Sequence, residues 1–406
     1  MEEWKEYKLE ETTDFIAGYA FKSKDFGSYE NKVVKIKDIQ PPFVSIASID
    51  GVNIHEYDIS KLAKYLVYKN DFLLAMTGAT IGKIGRYIYD KPVYLNQRIL
   101  KFMPKVGFDS DFIYYSLISD SFQKFIINHI DSDSAQPNIS ANTIGKYRLY
   151  IPDITIQKKI SHVLKVLDSK IELNRRINDN LEQQAQALFK SWFVDFEPFK
   201  DGKFVDSEMG MIPEGWKVVQ LGDITIQMKD RVGERSDVKV LSPVSTGELL
   251  LSEEYFTKQV YSEDISKYIL VKPNMFAYNP ARVNIGSIGR NKNNFDGCVS
   301  PVYVVFSCEE NYHYFFDLFR MLPSFKEEVA LRAIGGVRQT LKYSDLSMIK
   351  TIYPPLYIVL EFNKIMEKLL NIQKMTSMEI LNLAEIRDTL LPRLMSGELK
   401  INDLNC

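Results

Sequence analysis

The stretch Gly78-Ala79-Thr80-Ile81-Gly82-Lys83-Ile84 holds most of the ingredients of a phosphate-binding loop, with spaced glycines and a lysine. It has one spacer residue too few, and Ile84 stands where a Ser or Thr would hold Mg²⁺. The repeat of this stretch, Ile285-Gly286-Ser287-Ile288-Gly289-Arg290, puts Ser287 in the place of the lysine. The glycines are therefore read as tight turns of a strand hairpin and not as a nucleotide site. Tyr278-Asn279-Pro280-Ala281 lacks the second proline and the aromatic of the Asn-Pro-Pro-aromatic motif of amino-methyltransferases, and no glycine-rich cofactor loop lies upstream. Glu30-Asn31-Lys32 is a bare ExK without an upstream partner for a nuclease site. Three cysteines and four histidines form no metal spacing and no disulfide framework. No Ser/His/Asp or Cys/His constellation can be assembled, so the chain is expected to catalyse nothing alone and to carry no cofactor or metal.

Binding chemistry is better represented. Between Lys69 and Lys105 the cations Lys69, Lys83, Arg86, Lys91, Arg98, Lys101 and Lys105 face only Asp71 and Asp90. Asn96-Gln97-Arg98 and Gln136-Pro137-Asn138 add side chains that pair bidentately with adenine or guanine edges. Arg282, Arg290, Lys292, Arg338, Gln339 and Thr340 play the same part in the second half. A solvated surface explains any one of these residues. Taken together, the loops suit contact with double-stranded DNA, since phosphate contact needs only accessible cations. The net charge of −2 excludes a generic polyanion binder, so such contact has to come from local patches.

Two rods must position these loops. Ile156 to Trp192 contains neither Pro nor Gly, and Ile160, Val163, Leu167, Asn174, Ile177, Leu181 and Leu188 mark an a/d heptad seam with polar exceptions at Lys170 and Gln184. As a helix this stretch is about 55 Å long at 1.5 Å per residue. Phe362, Ile365, Leu369, Ile372, Thr376, Leu383, Ile386 and Leu390 repeat the seam in phase, so that Leu167 answers Leu369, Leu181 answers Leu383 and Leu188 answers Leu390. Asn174 and Thr376 fall at the same step, and a buried polar pair can fix register. The globular parts repeat as well. Trp4-Lys5 and Leu9 recur as Trp216-Lys217 and Leu221, and Gln136 stands as far ahead of Pro152 as Gln339 does ahead of Pro355.

The chain therefore reads as a tandem duplication. The expected order is a first globular domain over 1–153, a central helical spacer over 154–197, a linker over 198–215, a second globular domain over 216–355, and a helical spacer with tail over 356–406. Short apolar runs at 32–36, 43–49 and 71–76 are expected as strands, and 109–130 and 312–331 as helices. The fold class is α+β: two mixed domains separated by two long helices packed as an antiparallel coiled coil, with pseudo-two-fold symmetry. Such a molecule suits a ligand that is itself long and pseudo-two-fold, and duplex DNA qualifies. Composition is that of a globular protein, 45% hydrophobic and 26% charged. The acidic, polar start is no signal peptide and no apolar run reaches membrane-spanning length, so a cytoplasmic location is expected.

Three stretches carry a family resemblance: Ile212-Pro-Glu-Gly-Trp-Lys-Val-Val-Gln-Leu-Gly-Asp-Ile224, Leu188-Phe-Lys-Ser-Trp-Phe-Val-Asp-Phe-Glu-Pro198 and Leu390-Leu-Pro-Arg-Leu-Met-Ser-Gly-Glu-Leu399. With the duplicated rods, they resemble the specificity subunit of type I restriction–modification systems. The resemblance implies two target-recognition domains that read a bipartite DNA site. It also implies docking of two methyltransferase subunits, which use S-adenosylmethionine to methylate adenine, and of restriction subunits that hydrolyse ATP with Mg²⁺ and cut DNA. Those cofactors would belong to the partners. Trp192, Phe193, Leu394 and Met395, large apolar residues at rod ends, are the expected docking residues; the alternative reading of the same residues is that they are core. The rival reading is a scaffold whose paired rods bridge two protein partners without DNA.

Overall fold

A computed structural model describes residues 4–47, 49–130, 137–256, 258–333 and 340–401. The chain divides into two compact units, Met1–Arg175 with Met378–Cys406, and Arg176–Ser377. Each unit takes half of each long helix, Ile154–Phe193 and Leu356–Met395.

In the first unit, a six-stranded sheet runs in the order Thr13–Ala17, Ile99–Pro104, Phe72–Ala75, Ile84–Arg86, Phe43–Val44, Ile39–Gln40. Phe72–Ala75 is buried at every residue, as a strand covered on both faces must be, and its side chains are accordingly all apolar. A second sheet orders Asp50–Val52, Phe26–Val34, Val93–Leu95 and Leu66–Val67, and Lys5–Lys8 pairs antiparallel with Arg148–Ile151. The helical stretch expected over 109–130 is two helices, Ser110–Ile118 and Asp120–Asn128. The break falls at Ser119, whose backbone is extended (ψ 153°) and whose hydroxyl donates to the Ser116 carbonyl at 2.6 Å. Asp109 caps the first of them by accepting from the Phe112 N–H at 2.9 Å.

The second unit repeats the plan. One sheet orders Thr225–Met228, Val304–Cys308, Phe276–Tyr278 and Ile288–Arg290. The other orders Leu249–Leu251, Lys239–Pro243, Gly297–Val299 and Ile269–Val271, and Lys217–Gln220 pairs with Lys350–Tyr353. Its helical stretch is also broken, into His313–Phe319 and Pro323–Arg332, because Pro323 has no N–H to continue the first helix. The segment 198–215, expected as a linker, carries a small hairpin between Phe204–Val205 and Ile212–Pro213. Just before it, Phe199 lies edge-on to Trp216 at 5.2 Å.

The duplicated glycines do two different jobs. Gly82 and Gly286 sit in turns at φ +81° and +91°, where an L side chain is strained. Gly85 and Gly289 lie inside strands. A Cβ there would come within 2.7 Å of the Phe43 carbonyl oxygen or 2.5 Å of the Glu248 carbonyl carbon.

The long helices run antiparallel. In the first unit Asp168 receives a hydrogen bond from Arg387 at 2.9 Å, and Asn174 donates to Glu379 at 2.8 Å. In the second unit Asn178 donates to Ser377 at 3.1 Å, and Phe362 packs on Phe189, Trp192 and Phe193. The expected polar step is present but pairs differently. Asn174 is fully buried against Glu379, while the Thr376 hydroxyl bonds to Asn178.

Each unit's core needs both helices. The first joins Leu9, Phe72, Phe102 and Phe112 to Ile156, Ile160 and Leu164 of one helix and to Leu391 and Leu394 of the other. Replacing Leu394 by Ala should therefore destabilise the first unit by about 2–5 kcal/mol. Urea unfolding followed by proteolysis should show cleavage appearing first within residues 4–175, with the second unit unchanged.

Candidate nucleic-acid interface

Three loops that are far apart in sequence meet in the first unit. The Met76 N–H donates to the Arg98 carbonyl at 2.9 Å, the Gly78 N–H to the Pro137 carbonyl at 3.1 Å, and the Ile139 N–H to the Met76 carbonyl at 3.0 Å. This brings together the segments that hold Lys83, Asn96-Gln97-Arg98 and Asn138. Lys83, Gln97, Arg98 and Asn138 are exposed. Asn96 is half-buried, and its side-chain oxygen has no partner among the described residues. The Thr77 and Thr80 hydroxyls in the same cluster are likewise buried and unpartnered. Arg98 takes a left-handed backbone (φ +68°), which turns the chain out of one strand and into the next. Gln136 lies outside the described residues.

The second unit rebuilds the cluster on the same scaffold. The Asn279 N–H donates to the Ser287 carbonyl at 3.2 Å, as the Ala75 N–H does to Lys83 at 3.0 Å. The Leu341 N–H donates to the Pro280 carbonyl at 3.1 Å, as Ile139 does to Met76. Ile139 thus answers Leu341 and Asn138 answers Thr340, which moves the pairing of Gln136 with Gln339 by one residue. Arg282 is exposed, and its guanidinium meets no partner among the described residues. Thr340 is half-buried, and Lys292 is exposed with Glu248 3.4 Å away. Arg338 and Gln339 lie outside the described residues.

Two of the expected DNA-contacting arginines are structural. Arg86, on Ile84–Arg86, stacks on the Tyr114 ring at 4.2 Å from its centroid and pairs with Asp111. Arg290, on the matching strand, stacks on Tyr314 at 4.9 Å and pairs with Asp317 at 2.9 Å, with only 5% of its surface exposed. The carboxylate comes from one helical turn before the tyrosine in the first unit and one turn after it in the second. Arg290 also donates to Asn274 at 2.7 Å, and Arg320 closes on the other oxygen of Asp317. Both arginines fasten a helix to a strand of the sheet and are used up in doing so. Burial pushes the Asp317 carboxyl up, but Arg320 and Arg290 outweigh it and hold the group well below the ordinary carboxylate range.

The expected docking residues are also largely internal. Phe193 is buried against Phe189, Trp216, Phe315 and Phe362, and Leu394 is buried in the first unit's core. Trp192 and Met395 are half-buried against the same cores. This corrects the docking assignment for Phe193 and Leu394: each rod end carries apolar bulk because a globular core is built onto it.

Sequence reading missed the surroundings of Arg282. This side chain opens onto a cleft of about 680 Å³ whose lining includes Phe256, Val260, Tyr261, Tyr268, Val302 and Tyr303. The available signal was that the first half has no arginine at the matching step.

This architecture, duplicated α+β units on an antiparallel helix pair, matches known proteins. Residues 1–183 match the family described as the type I restriction modification DNA specificity domain. Beyond those residues, the chain is similar along most of its length to specificity subunits of type I restriction–modification systems. It is 29% identical to the type I restriction enzyme MjaIX specificity subunit of Methanocaldococcus jannaschii, over 87% of this chain and 83% of that one. It is 26% identical to the HindI specificity subunit of Haemophilus influenzae, over 98% of this chain and all of that one. The fold is shared with the crystal structure of the specificity subunit from M. genitalium, with a TM-score of 0.52 and 16% identity over 97% of this chain and 96% of that one.

Replacing Asp317 by Asn leaves two buried arginines without a counter-charge. The cost expected at pH 7 is about 3–5 kcal/mol in the second unit. Because the folded-state pKa of Asp317 is depressed, its contribution is complete above the unfolded value of about 4 and fades as pH falls below it. Urea unfolding at pH 7 and pH 3 checks this: the gap between wild type and Asp317→Asn should shrink in acid.

Proposed function

We propose that this chain is the non-catalytic, DNA-reading subunit of a type I restriction–modification complex, with each unit reading one half of a bipartite duplex site. The observation that carries this reading is the duplicated loop cluster. Two copies of one backbone scaffold present different side chains, Lys83, Gln97, Arg98 and Asn138 in one and Arg282, Lys292 and Thr340 in the other. Two copies of a scaffold bearing unlike polar groups are suited to read two unlike half-sites. The exchange of residues 10–150 or 222–350 for those of a relative should alter one half-site only, as read by mapping methylated adenines in cells that carry the complex. A swap that changed both half-sites together would contradict independent reading.

The same reading gives the long helices two tasks. They set the distance between half-sites, and their outer faces dock two methyltransferase subunits, which bring S-adenosylmethionine. Restriction subunits with their ATP and Mg²⁺ join the complex. Val166, Leu173, Met375, Met378 and Leu381 are exposed apolar side chains on these helices, where a helix with nothing more to cover would be polar. Leu173→Glu together with Leu381→Glu should cut co-purification with a methyltransferase subunit while thermal unfolding stays unchanged. Undiminished co-purification would move docking to another surface.

A further inference from the structure

The internal duplication separates cations that hold the fold from cations that do not. Arg86 and Arg290 occupy matching strand positions, stack on matching tyrosines and are ion-paired. Arg282 is different. The Ile285 N–H closes the turn on the Arg282 carbonyl at 3.2 Å, as the Ile81 N–H closes on Gly78 at 3.1 Å, so the first unit has a glycine where the second has this arginine. The second unit thus carries an arginine that its scaffold does not require, exposed and without a partner among the described residues.

The cleft that Arg282 opens onto sets aromatic and aliphatic side chains beside polar ones, Ser242, Asn279 and Ser300 among them, and Val302 and Val260 are 72% and 58% exposed. Phe256 stands beside them, exposed as well. Among the described residues no lysine and no second arginine lines the cleft. A guanidinium beside exposed valine methyl groups matches the major-groove edge of a guanine next to a thymine. Guanine offers O6 and N7 to a two-pronged donor, and thymine offers its 5-methyl to apolar contact.

We propose that Arg282 reads a guanine in the half-site of the second unit, and that Val260 and Val302 read the methyl of an adjoining thymine. This rests on the DNA reading proposed above and names the bases that reading leaves open.

The test uses the complex formed with co-expressed methyltransferase subunits. Its half-sites are first mapped by methylation, and binding is then measured on duplex oligonucleotides carrying that site. Arg282→Lys keeps the charge and loses the fork. It should reduce discrimination at one G·C pair of one half-site by roughly ten- to hundredfold, with the salt dependence of binding retained. Replacing the neighbouring thymine by uracil should weaken wild-type binding by roughly threefold. Val260→Ala with Val302→Ala should bind thymine and uracil sites alike. Equal weakening at every base pair by Arg282→Ala, with a shallower salt dependence, would make Arg282 a phosphate contact and overturn the proposal while leaving DNA reading intact. A half-site without any G·C pair sensitive to Arg282→Lys would overturn it too. Failure of the wild-type complex to bind any sequence specifically would overturn the DNA reading itself.

Discussion

An amphipathic helix of 40 residues has to bury its apolar face against something, and most of its stability comes from that packing and not from helix propensity. Here each long helix is divided between two cores. The first unit closes over Ile156, Ile160 and Leu164 and also over Leu391 and Leu394, so residues near the end of the chain complete a core that begins at Leu9. The second unit closes over Ala185, Phe189 and Phe193 together with Ile358, Phe362 and Met366. Neither repeat of the sequence corresponds to one unit of the fold, because each core borrows from both helices. Polar contacts then select the register. Asp168 takes hydrogen bonds from both Arg387 and Tyr115, which ties the helix pair to the sheet-bearing part of the first unit.

The interior electrostatics follow from the same economy. Taking an arginine out of water is costly unless its donors are satisfied and its charge is balanced. Arg290 meets this condition through Asp317, Asn274 and the face of Tyr314, and Arg86 through Asp111 and Tyr114. Such residues are unavailable to an external anion. Positive charge counted along the chain therefore overstates what the surface can offer. Duplication helps to sort the two kinds. The matching arginines Arg86 and Arg290 are occupied in the architecture, while Arg282 stands where the first unit has a glycine.

The sequence by itself determined the periodic and repeated features. The heptad seams mark the two long helices, whose observed bounds, Ile154–Phe193 and Leu356–Met395, fall close to those read from the spacing of apolar residues. The recurrence of Trp4 as Trp216 and of the Ile-Gly-x-Ile-Gly-Arg step marks two equivalent halves. These features are legible because a helix or a repeat imposes its period on neighbouring residues, and the period survives in one dimension. Tertiary structure alone decided which face of each element is covered. An arginine at a strand end reads the same whether a tyrosine lies above it or water does, so Arg86 and Arg290 looked like surface cations. Phe193 and Leu394 read equally as docking residues and as core at rod ends, because nothing local reports the core that encloses them. A neighbouring backbone is what excludes side chains at Gly85 and Gly289, and no spacing along the chain reports it. The partner of Asn174 is Glu379, and the exact register of two antiparallel helices is set by the packing around them, which spacing along one helix does not encode.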